Sequence, residues 1–84
     1  MSINKIKMAL VNIFFECFIT CLERTEQEGY ALDGKAVGDA WDFAYTETME
    51  EVEKYRDLLG LKTIFMGWLA CNIAGDLLKK EGVL

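Results

Sequence analysis

Two long apolar stretches, residues 8–22 and 63–78, flank one acidic segment, residues 39–57. In a chain of 84 residues this layout limits the fold more than any single motif does. A domain of that size buries only about 60–65% of the surface its unfolded chain exposes. Hydrophobic residues make up 52% of the chain, and both apolar stretches carry them nearly all round. One small interior has too little room for that much apolar surface, so the surplus requires a second copy, another protein or lipid.

Composition narrows the function classes. There is no histidine, which removes the commonest general base and the commonest transition-metal ligand together. Cys17, Cys21 and Cys71 form an odd set with no Cys-x-x-Cys, which suits a reducing compartment rather than a disulfide framework. A net charge of −5, with the nine Lys and Arg residues scattered, argues against direct nucleic-acid binding, since phosphates need clustered cations. Lys5 and Lys7 precede an apolar run, but Glu23-Arg24-Thr25-Glu26 follow it where a cleavage site needs small residues. The expectation is one cytoplasmic domain over residues 1–84, with no cofactor, no metal and no enzymatic activity.

With no proline present, glycines punctuate the chain. Gly29, Gly60 and Gly82 each follow a periodic segment, where glycine commonly stops a helix. Lys79 and Lys80 suit the negative end of a helix dipole, while Ser2 and Asp33 suit the capping position at helix starts. No stretch alternates cleanly enough for a strand. The predicted fold is all-α: a three-helix bundle with helices at about 3–28, 35–59 and 62–80, antiparallel neighbours and short turns.

Stepping about 100° per residue separates the faces. In the first helix Lys5, Asn12, Glu16 and Glu23 form one narrow polar stripe, leaving a sector of roughly 240° for packing. Core burial accounts for Leu10, Phe14, Cys17, Phe18 and Cys21 but not for Met8, Phe15 and Ile19 beside the polar stripe. The second helix has an apolar face of Val37, Trp41, Ala44, Tyr45, Thr48, Val52, Tyr55 and Leu59. Opposite it stand Asp39, Asp42, Thr46, Glu50, Glu53 and Asp57, with Phe43 projecting among the acids. The third helix places Gly67, Cys71 and Gly75 four apart, with Ala70 and Ala74 alongside. Such a strip lets another helix approach closely. It either seats the first helix or forms a contact between copies, and Gly67→Leu should disrupt whichever pair uses it. Phe65 and Leu69 lie within the polar arc of that helix.

Catalytic patterns fall short. Glu47-x-x-Glu50 and Glu50-x-x-Glu53 put carboxylates on adjacent turns, as Mg²⁺-dependent phosphohydrolases do. The all-α enzymes of that kind need a second Glu-x-x-Asp pair on the next helix, which here offers only Asn72 and Asp76. Cys17 and Cys21 lie on the most apolar arc of the first helix, where thiols act as small hydrophobes. Gly34-Lys35-Ala36-Val37-Gly38 lacks the spacing and preceding strand of a phosphate loop.

The expected function is that of a small acidic interaction protein, comparable in composition to phage or mobile-element accessory proteins that bind and block a host protein. Asp39, Asp42, Phe43, Glu50, Glu53 and Asp57 are the expected recognition face, steered toward a basic surface, with Phe43 as anchor. Phe15, Ile19, Phe65, Gly67, Leu69, Cys71 and Gly75 are the expected contact of a homo-oligomer, most simply a dimer. The alternatives are a membrane hairpin and an Mg²⁺-dependent phosphohydrolase built on Glu47, Glu50 and Glu53. The hairpin has Lys5, Lys7, Lys79 and Lys80 at its cytoplasmic ends. Its uninterrupted apolar stretches are short of the ~20 residues a span needs, and Asn12, Glu16 and Asn72 break them.

Overall fold

Helix starts and stops follow local chemistry. The Ser2 hydroxyl accepts from the Lys5 backbone N–H at 3.2 Å and opens α1, Ile3–Gln27. The helix closes in a Schellman turn: Gly29, at φ +86°, donates to the Glu26 carbonyl while Tyr30 donates to Thr25. Asp33 caps α2, Gly34–Glu53, by accepting from the Ala36 N–H at 2.9 Å. The last helix, Thr63–Lys80, ends in the same motif as α1, with Gly82 bonded to Lys79 and Val83 to Leu78. The computed structural model describes residues 2–84, is 84% helical, and contains no strand among the described residues.

The second expected helix is not continuous to residue 59. After Glu53 the chain tightens, with Lys54 N–H donating to Glu51 and Tyr55 N–H to Val52. A single turn, α3 (Arg56–Leu59), and a 3-10 turn (Gly60–Lys62) then lead into α4 (Thr63–Lys80). Gly60 has φ +58°, and the Thr63 hydroxyl donates to its carbonyl at 2.7 Å. This corner turns Leu59 into the core. Asp57 therefore belongs to α3 and is not continuous with the acidic face of α2.

α1, α2 and α4 pack on one another around a single core. Ile6, Leu10, Phe14 and Phe18 recur every four residues on α1 and are fully buried. The other helices contribute small residues to the same core: Ala40 and Ala44, with buried Thr48, on α2, and Ala70 and Ala74 on α4. Large side chains from one helix thus fill space left by small ones on two others, as close packing requires. The Phe14 ring meets the Trp41 indole edge-on at 4.7 Å and stacks on Phe18 at 6.1 Å.

The small-residue strip on α4 seats α2, where the sequence suggested α1 or a second copy. A Cβ at Gly67 would lie 2.5 Å from Met49 Sδ and 3.3 Å from Val52, and one at Gly75 would lie 2.7 Å from the Trp41 ring. Gly67, Cys71 and Gly75 are accordingly buried inside the chain. The pairs Trp41–Gly75, Tyr45–Trp68 and Met49–Gly67 run in opposite directions along the two helices, so α2 and α4 are antiparallel.

Burial pushes the Cys71 thiol up to about 11 from an ordinary value of 9.0, and hydrogen bonding with the neighbouring Thr48 side chain acts the other way. The unfolded thiol therefore loses its proton at lower pH than the folded one. Stability from this site is complete below pH 9, and it declines as pH rises toward 11. The melting temperature is expected to fall over that interval less steeply in Cys71→Ala than in the unaltered chain. Equal pH slopes in paired melts would show that this thiol does not contribute.

Candidate functional site

The acidic face of α2 is exposed but partly neutralised by its own chain. Lys35 reaches Asp39 at 3.3 Å, one helical turn away. Arg56 grips Glu53 through two bonds of 2.6 Å, and this hydrogen bonding, followed by the guanidinium charge, holds the Glu53 carboxyl below its ordinary range. Asp42 and Glu50 have no ion pair among the described residues. Asp42 precedes Phe43 in the sequence and Glu50 lies two helical turns further on; Phe43 is 44% exposed and is not among the residues packed on the core. Of the six expected recognition residues, Asp42, Phe43 and Glu50 thus form the uncommitted centre.

The residues expected to join copies separate into three settings. Gly67, Cys71 and Gly75 are interior. Phe15, Ile19 and Leu69 are partly buried and pack on the edge of the core. Phe65 is 60% exposed, and it stands in a larger apolar surface that the sequence reading did not collect.

That surface lies at the α3–α4 corner. Leu61 is fully exposed at the tip of the 3-10 turn, with Leu58 on α3 beside it in sequence. Along α4, Ile64 and Trp68 are 45% and 52% exposed. Leu61, Ile64, Phe65 and Trp68 fall at the spacing i, i+3, i+4 and i+7, so they form one ridge. The Trp68 indole N–H donates to the Tyr45 hydroxyl of α2 at 2.9 Å, which fixes the ring while leaving its face in water. The same i, i+3, i+4, i+7 spacing is present in the sequence, but on α4 it runs between the small-residue strip and the arc of Asn72 and Asp76, with no clean boundary to either.

Other features offer less. An open cleft of about 310 Å³ lies between Thr25, Tyr30, Asp33, Lys35 and Asp39 where α1 passes to α2. Its charged groups are engaged locally, Asp33 as a helix cap and Lys35 with Asp39. Among the described residues no three Cys, Asp or Glu side chains converge as a metal site would require. Cys17 is held in its neutral form, first by partial burial and then by the nearby Glu47 and Glu16 charges. One stretch, Arg56–Lys80, is apolar and long enough to cross a membrane by length and composition, and 44% of its most apolar window is buried against the rest of the chain.

Compared with known proteins, the chain matches no family model, no curated protein and no solved structure.

Proposed function

We propose that this chain is a non-enzymatic interaction protein of the cytoplasm. It self-associates, and it acts by occupying a basic surface of another protein, as an accessory or inhibitor does. One observation carries this reading: large apolar side chains stand in water at several places on a 9.6 kDa domain, among them the α3–α4 corner and, between acids on α2, Phe43. Small monomeric proteins rarely leave contiguous apolar patches beyond a few hundred Å² uncovered. Around Phe43 the free carboxylates of Asp42 and Glu50 supply steering toward positive charge, and the ring supplies contact area.

Affinity capture from the source cell, with the unaltered chain and a Phe43→Ala/Asp42→Lys/Glu50→Lys variant side by side, tests the recognition face. The partner is expected to be lost from the variant, with binding weakened by at least about 100-fold, as removal of a central anchor implies. Equal recovery by both chains would place the partner elsewhere on the surface.

A membrane-associated protein is the second reading, favoured by the length and hydropathy of Arg56–Lys80. It requires that the protein leave the membrane fraction only with detergent.

A further inference from the structure

We infer that the Leu61–Ile64–Phe65–Trp68 ridge is covered by the same ridge of a second copy, in a two-fold contact of α4 against α4. The inference rests on the self-association proposed above and assigns it a surface.

Area is the first argument. Leu58, Leu61, Ile64, Phe65, Trp68 and Tyr45 are on average more than half exposed. With a large side chain presenting roughly 150–250 Å², they leave on the order of 700 Å² in water. A standard interface buries about 800 Å² per partner, so the ridge together with the neighbouring Leu58 and Tyr45 comes close to the requirement.

Charge is the second. The chain carries −5 overall, yet from residue 58 through residue 75 it has no carboxylate, and Lys62 is the single charged residue. Two copies can therefore meet along this face without apposing their acids. An anionic lipid surface would instead repel the rest of the protein, and one lysine is a weak attraction to set against that.

Rigidity is the third. The Tyr45–Trp68 bond holds the indole in place, and the Thr63–Gly60 bond holds the turn that carries Leu61. A surface already ordered loses little freedom on docking, which is where much of the cost of association lies. In a two-fold contact each ridge residue also acts twice.

The test is sedimentation equilibrium of the full chain and of a Leu61→Asp/Phe65→Asp variant, each also titrated with phosphatidylserine-containing vesicles. Both positions are exposed, so the variant should keep the helical circular dichroism and melting behaviour of the monomer. The unaltered chain is expected at twice 9.6 kDa, and the variant at 9.6 kDa with dissociation at least about 100-fold easier. As an independent readout, Trp68 emission should shift to the blue as the unaltered chain is concentrated, and Trp68→Phe should abolish that shift. A variant that remains fully dimeric overturns the ridge assignment while leaving self-association standing. An unaltered chain that stays monomeric at every concentration overturns both. Vesicle binding by a monomeric chain, lost in the variant, would assign the ridge to lipid instead.

Discussion

Gly75→Leu is expected to destabilise the domain by about 2–4 kcal/mol, the upper range for forcing extra atoms into a packed core. The Trp41 ring already lies where even a Cβ would go, at 2.7 Å and 3.0 Å from two ring carbons. Phe14, which meets that ring edge-on with centroids 4.7 Å apart, opposes its retreat toward α1. The leucine therefore pushes α4 away from α2 or drives the indole out of its site. For a domain of this size, each kcal/mol lowers the melting temperature by about 4–8 °C. Gly67 provides the control: a Cβ there meets the flexible end of Met49, which can rotate away. Gly67→Ala should cost clearly less than Gly75→Ala, as measured by urea midpoints. Equal losses would mean that the Trp41 ring is free to move.

Phe14→Ala should cost about 3–5 kcal/mol, the usual loss for a buried phenylalanine whose cavity the surroundings fail to fill. Phe14 is fully buried and touches both Phe18 and Trp41, so its removal opens a void between α1 and α2. Typical domain stability is only about 5–15 kcal/mol, and small domains lie toward the low end. The variant should lose most of its cooperative thermal transition, whereas Phe14→Leu, which refills much of the space, should retain it. A Phe14→Ala protein melting within a few degrees of the unaltered chain would contradict this packing.

Helix ends were readable in advance because their causes are local. Ser2 and Asp33 cap through their own side chains, and Gly29 and Gly82 accept the left-handed backbone of a helix stop. The interruption after Glu53 was not readable. No glycine or proline marks it, and the apolar period runs through Val52, Tyr55 and Leu59 as if the helix continued. Its cause is tertiary: the chain must turn Leu59 inward and send α4 back along α2. The strip on α4 announced a close neighbour without saying which. Both α1 and α2 carried aromatic candidates, and only three-dimensional packing assigned the strip to Met49 and Trp41 rather than to Phe14 or Phe18. For the same reason the exposed ridge was half found. On α4 apolar residues spread from the buried strip into the arc of Asn72 and Asp76, so the period marks Phe65 as out of place but draws no line between buried positions and Leu61, Ile64 and Trp68.

The antiparallel register of α2 and α4 also bears on how quickly the chain finds its fold. Each of those two helices packs against its neighbour in sequence, and the connecting turns between long helices are short, so little entropy is lost in bringing either pair together. Contacts of such short reach give folding in microseconds to milliseconds. Only the seam between α1 and α4 joins distant parts of the chain, and either helical hairpin through α2 can form before that seam closes. Newly made chains are thus expected to spend little time with their core phenylalanines in water, which matters for a sequence in which about half of the residues are hydrophobic.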